Sequence, residues 1–546
     1  MQISRHIAIK QYRYLAFGVA VTLCVIAIAA VLLHQQAAVL HVEDEIIQRM
    51  PFAVPGLPTC PGCNVILVSL DTLRADELPC YGYARNTAPN LCAFAGQNIQ
   101  FNRLYSESSN TLDGHMSIFT GLYPSTHHVI NELTDALNPN IKTLTETLAG
   151  HGYKTIYAGT TGDPNLPIKL GLGRGFTEIH PMQSLQPGWK EDYMRLLPEL
   201  TGTKPAFIFL HTYAVHDPYV AGHGPRLYVP GSIQGLPMTL DEFSPTSIEF
   251  YQFVLSDYRI RLAASDTSDS VARSQAIVSG LQDAIATGNI KSGKAIFDSF
   301  PSYEQYKYHD GWYWHLIDKH NPGDVAYIRG LYDERLHSLD ANLKPLLEFV
   351  SRPEIKRKTI IIFVADHGEE FMEHRHMLHT NNIYNTVTHV PFIMAAPRIP
   401  SGQINALVQN IDLYPTILAL TGIQSPGAVE GNSILPILLG DRSQKGDPYV
   451  ISEHRNDFVR SIQDGSWKLY VNKLENGTIT HELYNLVVDP AEQHNVLTMH
   501  PDIQSRLTKA LKTILSRSPV YKPINNEFPD WIDQKTRDEL STEGYF

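Results

Sequence analysis

The chain has 546 residues, of which 43% are hydrophobic and 18% charged. That balance supplies a sizeable core and excludes a mostly disordered chain. With 44 Lys and Arg against 56 Asp and Glu, the formal net charge is −12, which argues against nucleic acid as a partner, because a phosphate backbone needs a basic face.

Residues 14–33 (YLAFGVAVTLCVIAIAAVLL) carry no charge, and about twenty apolar residues suffice to span a bilayer as a helix. Arg5, Lys10 and Arg13 precede this run, and Glu43, Asp44 and Glu45 follow it. The positive-inside rule then puts the N-terminus in the cytoplasm and the remainder in a periplasmic or extracellular space. The run is long for a cleaved signal peptide and lacks a clear cleavage site. The expected organisation is a cytoplasmic tail over 1–13, one transmembrane helix over 14–34 and a Pro-containing stem over 35–60. A large main domain follows over 61–440, with a helical insertion at about 220–320, and then a C-terminal subdomain over 441–546.

Five Cys are present: Cys24 in the apolar run, Cys60 and Cys63 in a CPGC element, and Cys80 and Cys92 around a short loop. The four outside the apolar run are compatible with two disulfides in an oxidising compartment. Free thiols, redox chemistry or half a zinc site are the alternatives, and no second CxxC follows.

The run 64–70 (NVILVSL) is continuously apolar, the pattern of a strand buried on both faces of a parallel sheet. An amphipathic helix is expected over 141–152 and a strand over 154–158. Residues 206–210 (AFIFL) and 359–364 (TIIIFV) repeat the buried-strand pattern, with helical spacing over 327–350 between them. Strands alternating with helices predict an α/β fold with a large doubly wound, mainly parallel sheet flanked by helices. The segment 220–320 departs from that pattern and contains SYEQYKYHDGWYWH at 302–315; either it lies near the site mouth or it only packs. Residues 461–471 and 482–486 read as a hairpin or small antiparallel sheet, with a helix near 501–516, giving a smaller C-terminal α+β subdomain.

Polar clusters follow the buried strands, and the carboxyl ends of strands in an open α/β sheet are where ligands bind. Asp71 ends the first strand and reads equally as a cation ligand or as a cap for the next helix. Thr111, in SSNTLDGHMSIFTGLYPS, lies at an expected helix start, where N–H groups favour anions; it reads as an N-cap or as a nucleophile activated by a metal. Asp366 and His367 follow the strand 359–364, and Glu369, Glu370, His374, His376 and His379 come soon after. Such a gathering points to metal or catalytic chemistry. His216 is a candidate ligand or general acid, whereas His211 reads as a satisfied surface histidine.

Together these pieces resemble the sulfatase family of the alkaline phosphatase superfamily. The matching stretches, in order, are NVILVSLDTLRAD, APNLCAFAGQNIQFNRLYSESS, SIFTGLYPSTHHV, FLHTYAVHDPY, FVADHGEEF, NIYNTVTHVPFIM, NIDLYPTILALTGI and GSWKLY followed by HELYNLVVDPAEQHNVL. The resemblance implies an α/β domain with a central mixed sheet and a smaller C-terminal domain. It makes Asp71, Asp366 and His367 metal ligands and puts Thr111 at the nucleophile position, its oxygen bound to the same ion. His216 and His379 match positions that contact the ester oxygens or protonate the leaving group. His115 takes the place where sulfatases have an Arg beside the nucleophile, and Lys468, in the closing WK, reads as a structural Lys or one reaching the site rim.

The sequence departs from the family pattern at the nucleophile. Formylglycine formation needs Cys or Ser in a C/S-x-P-x-R context, and this chain has Thr111-Leu112-Asp113-Gly114-His115, so formylglycine is not expected. A Thr with an Asp-His ligand pair looks instead like the phosphoryl-transfer branches, such as the phosphoethanolamine and lipoteichoic acid glycerophosphate transferases and the nucleotide pyrophosphatases. Asp113 would repel an anionic substrate unless it points away or binds metal.

The resulting expectation is a membrane-anchored, metal-dependent hydrolase of phosphate, phosphonate or sulfate esters, with one divalent ion. Carboxylate-plus-imidazole ligation suits Zn²⁺ or Mn²⁺, and family sulfatases use Ca²⁺. A second ion on His211, Asp217 and His376 is left open. Transfer of a phospho-head-group to an envelope lipid or glycan, or binding without catalysis on the same fold, are the competing readings.

Overall fold

A computed structural model describes residues 60–525, apart from 132–133, 161–169, 183–188, 220–225, 234–235, 237–246, 265–267, 301, 380–381, 441–445, 455–458 and 475. Among the described residues, no helix is long and apolar enough to cross a membrane. The single-pass localisation, with a cytoplasmic N-terminus and a periplasmic or extracellular domain, is corrected on this finding; the 14–34 run and the stem over 35–59 lie outside the described residues.

The centre of the main sheet is built from the runs that the sequence made most apolar. Its strands are β1 (Asn64–Leu70), β2 (Ile99–Tyr105), β4 (Lys154–Gly159), β5 (Glu178–Pro181), β6 (Ala206–Thr212), β7 (Thr359–Val364), β8 (His389–Ala395), β9 (Gly402–Ile404) and β10 (Val408–Gln409). Their order is β10-β2-β8-β7-β1-β6-β4-β5, with β9 beside β2. The short β3 (Asp135–Ala136) pairs instead with β15 (Ile524–Asn525). Every residue of β1, β6 and β7 is buried, and each fully covered Val, Ile, Leu or Phe contributes about 1.5–3 kcal/mol. β1 pairs in parallel with β6 and β7. β8 lies antiparallel between β7 and β2, so the sheet is mixed, though mainly parallel.

Helices cover the sheet. The expected 141–152 helix is shorter, Leu144–Gly150, because Thr143 and Glu146 close a capping box at its start. The helix Pro322–Val350 begins with Asn321 accepting from the Gly323 N–H. Its Asp340 accepts from the Asn90 and Leu91 N–H groups at 3.0 and 2.7 Å, capping the helix Pro89–Gln97 whose own N-cap, Ala88, offers no side-chain acceptor. Disulfides join Cys60 to Cys63 and Cys80 to Cys92.

Among the described residues, four more helices run between β6 and that long helix: Ile248–Ala264, Ser268–Thr287, Ile290–Phe297 and Ser302–His315. They bury an apolar cluster of their own, including Tyr251, Val254, Leu281, Phe297 and Tyr308. The C-terminal sheet is antiparallel, ordered β11 (Val450–His454), β12 (Val459–Gln463), β13 (Trp467–Lys473) and β14 (Ile479–Asn485). Leu507 and Leu511 of the helix Pro501–Leu515 pack on its Ile462, Leu469 and Leu483.

Candidate active site

Strand register brings the site together. Ser69 of β1 is paired with His211 of β6 and with Val364 of β7. Two residues on, β1 delivers Asp71 and β7 delivers Asp366, followed by His367. One ligand atom from each of these three lies within 4.8 Å of the others, and all three side chains are buried.

The helix Thr111–Thr120 supplies the hydroxyl. Asn110, with extended backbone, occupies its N-cap, so Thr111 is the first helical residue and not the cap. Thr111 Oγ1 lies 3.4 Å from His367 Nε2. The helix approaches closely because Gly114 faces Asp366: a Cβ there would stand 3.3 Å from the Asp366 carbonyl oxygen. The N–H groups and dipole of this buried helix start favour negative charge beside Thr111.

Hydrogen bonds fix how the donor atoms point. His367 Nδ1–H donates to the Gly368 carbonyl at 3.0 Å, leaving Nε2 as the lone-pair nitrogen. Nε2 lies 3.4 Å from Asp366 Oδ2 and 3.6 Å from Asp71 Oδ1. Burial takes the imidazole down to about 4, so it is neutral. Burial and the neighbouring Asp71 push Asp366 up to about 7. Neither Asp366 carboxylate oxygen has a hydrogen-bond partner among the described residues. Two buried carboxylates, one with unsatisfied oxygens, and a neutral imidazole fit a divalent cation.

His211 is not the surface residue its sequence context suggested. It is fully buried, and its Nε2–H donates to Asp71 Oδ2 at 2.9 Å, which orients that carboxylate. His115 is also fully buried and is held near 4 by burial. Its Nδ1–H donates to the Thr111 carbonyl at 2.7 Å, and its Nε2 accepts from Ser69 Oγ at 2.8 Å. It therefore stands neutral, with both nitrogens engaged, where the resemblance puts a charged Arg. Asp113 folds back onto its own helix start, near Ser108, Asn110 and the Gly114 N–H, and burial raises it to about 7. Raised that far, the carboxyl is partly protonated near neutral pH, which lessens the repulsion its position suggested.

A second group faces the first. His216, Asp217 and His379 each offer a ligand atom within 4.8 Å of the others. The second-ion set expected from sequence is therefore corrected: His211 belongs with Asp71 and His115, and His376 is exposed. His216 Nδ1 lies 2.9 Å from Asp217 Oδ1. Burial opposes the His216 cation, but the charge and hydrogen bond of Asp217 outweigh it, holding the imidazole well above its ordinary range. His379 lies 3.3 Å from Glu369 Oε1; burial and the neighbouring His216 take it down to about 4. Its ring centre is 4.5 Å from that of His367 and 5.1 Å from that of His216.

Lys468 does not reach this site. Its buried Nζ pairs with Glu492 at 3.0 Å and donates to the Ile383 carbonyl at 2.7 Å. His374 is likewise engaged elsewhere, 2.7 Å from Glu370. Sequence reasoning missed the pairing of Asp217 with His216 and of Glu369 with His379. Each acid is close in sequence to a residue already singled out, and that adjacency was the available signal.

A mainly parallel α/β sheet with buried carboxylates, imidazoles and a helix-start hydroxyl at its strand ends defines a class of mixed α/β proteins with a candidate cation site at the carboxyl ends of the central strands. Within that class the chain belongs to the Sulfatase family, whose model matches residues 63–423. A model described as N-sulphoglucosamine sulphohydrolase, C-terminal, matches residues 372–517. Among curated proteins, Arylsulfatase K of Mus musculus is 29% identical over 218 residues, 38% of this chain and 39% of that protein. Arylsulfatase K of Gallus gallus is 30% identical over 223 residues, covering 38% and 41%. The match thus spans about two fifths of the length of these relatives. Among solved structures, a 2-O GAG sulfatase aligns with a TM-score of 0.59 at 19% identity, covering 84% of this chain and 92% of that one. The phosphonate monoester hydrolase of Agrobacterium radiobacter aligns with a TM-score of 0.55 at 17% identity, covering 84% and 96%. At those identities the likeness is one of fold.

Proposed function

We propose that the protein is a metal-dependent hydrolase of sulfate, phosphonate or phosphate esters in which Thr111 is the nucleophile. The observation that carries this reading is the meeting of Asp71, Asp366 and His367 around one point, with the Thr111 hydroxyl 3.4 Å from His367 Nε2 at a helix start. Asp71, Asp366 and His367 would hold a divalent cation, with Thr111 Oγ1 beside it. Bound there, the cation supplies positive charge that lowers the hydroxyl's pKa and offsets the charge on the ester's non-bridging oxygens.

The chain's own groups do the rest. The start of helix 111–120 receives the anionic head group through its N–H groups. His211 and His115 position Asp71 and the Thr111 segment. Thr111 gives up its hydroxyl proton to solvent, its Oγ1 attacks phosphorus or sulfur in line, and the bond to the leaving oxygen breaks. His216 carries its proton on a ring whose Nδ1 is committed to Asp217, so Nε2–H is the end that donates to that oxygen. Water then hydrolyses the Thr111 ester. His379, neutral beside Glu369, is suited to accept the proton of that water.

The test is a panel of aryl phosphate, phosphonate and sulfate esters with Zn²⁺, Mn²⁺ or Ca²⁺. Turnover should fall by roughly 10³-fold or more in Thr111→Ala, and Thr111→Ser should keep part of it. Mass spectrometry of quenched wild type should find the phosphoryl or sulfuryl group on Thr111. Undiminished turnover in Thr111→Ala would refute the nucleophile assignment.

A further inference from the structure

The four-helix insertion ends against the site. Its last helix, Ser302–His315, presents different faces to different cores. Tyr308 and Trp312, one turn apart, pack within the insertion's own cluster. Tyr313 joins the main core instead, and Trp314 points at the loop after β6. Trp314 Nε1–H donates to Asp217 Oδ2 at 3.4 Å. The other oxygen of that carboxylate, Oδ1, is the one 2.9 Å from His216 Nδ1. Next to it, the Tyr313 hydroxyl donates to the Tyr219 carbonyl at 2.8 Å, and the Tyr219 ring meets Trp314 edge-on at 6.3 Å. Tyr219 in turn donates to Glu369, the carboxylate beside His379.

An insertion that only filled space would not need a polar contact on a buried carboxylate. Asp217 is 7% exposed. His216 Nδ1 also lies 2.8 Å from the Asp217 main-chain carbonyl, so the imidazole shares its proton between a fixed acceptor and a carboxylate that, held at one oxygen, can rotate about its Cβ–Cγ bond and change that balance. The indole N–H removes that freedom by fixing the second oxygen.

We infer that the insertion completes the acid-catalytic apparatus, with Trp314 a positioning residue that locks Asp217 and thereby aims the His216 imidazole at the leaving oxygen. This rests on the reading of His216 as the proton donor. Tyr313 clamps the same loop through the Tyr219 backbone, so one dipeptide of the insertion sets the loop that bears the donor. General acids contribute about 10²–10⁴-fold, and the share depends on how poor the leaving group is.

The test compares full-length wild type with Trp314→Phe, which keeps a ring against Tyr219 and deletes the N–H. Substrates are a series of esters whose leaving groups run from 4-nitrophenol to simple alcohols. Turnover of the alkyl esters should fall on the order of 10-fold, with the 4-nitrophenyl ester nearly unchanged and KM, metal content and melting temperature preserved. Asp217→Asn should show the same leaving-group pattern more strongly. Equal slowing of all esters, or none, overturns the inference. If wild type turns over no ester, the proposed function falls and the positioning claim is read separately. The far-downfield proton resonance of His216 Nδ1–H, identified by its loss in His216→Asn, should move in Trp314→Phe; an unmoved resonance overturns it.

Discussion

Asp366→Asn in metal-free protein makes the sharpest test of the buried donor set. Burial and Asp71 move this carboxyl from its ordinary 3.8 to about 7, and its oxygens have no hydrogen-bond partners among the described residues. The unfolded chain releases the proton near pH 4, and the folded protein keeps it until about pH 7. Stability from this group is therefore complete below pH 4 and lost as the pH rises to 7. At about 1.4 kcal/mol per pH unit, the loss comes to ~4 kcal/mol. Asparagine carries no charge to bury, so chelator-treated Asp366→Asn should match wild type near pH 4 and exceed it by ~4 kcal/mol at pH 8. Adding the active metal at about 1,000 times its wild-type Kd should return about 4 kcal/mol to wild type and much less to the variant. Urea denaturation at both pH values, with and without metal, reads all four states. A metal-free variant no more stable than wild type at pH 8 would refute the claim that Asp366 is a buried carboxyl awaiting a cation.

Gly114→Ala adds a methyl 3.3 Å from the Asp366 carbonyl; the gain of about 1 kcal/mol in helix propensity should offset the strain, leaving the melting temperature nearly unchanged. Metal affinity, measured by chelator competition, should fall roughly 10-fold, and an unchanged affinity would show that the helix does not set the ligand positions. Lys468→Met should destabilise by roughly 3–5 kcal/mol, because it strands the buried Glu492 carboxylate. Turnover per folded molecule should be unaltered, and a selective loss of turnover would place Lys468 at the site after all.

The architecture was legible where apolar runs were uninterrupted. The stretches 64–70, 206–210 and 359–364 read as buried central strands and are β1, β6 and β7. β2 was harder: its sequence, IQFNRLY, mixes polar and apolar residues and takes its place through pairing with β8, β9 and β10. Such long-range pairing leaves no local periodicity. For the site, residue types at strand ends drew attention to Asp71, Asp366 and His367, and the register explains why they meet. What sequence did not reveal was orientation. Whether His211 was exposed, which way Asp113 turned and what held Asp217 all depend on segments far apart in the chain. Trp314, for example, reaches Asp217 across 97 positions.

The candidate cation ligands sit in the buried turns immediately past the ends of two adjacent strands in the middle of the sheet. The connection after β6 and the helices inserted behind it lie beyond those strand ends. Those helices bury an apolar cluster of their own and meet the loop after β6 through Tyr313 and Trp314, so changes confined to that cluster leave the ion's seat in place. The outer cluster can therefore vary while the chassis stays as it is.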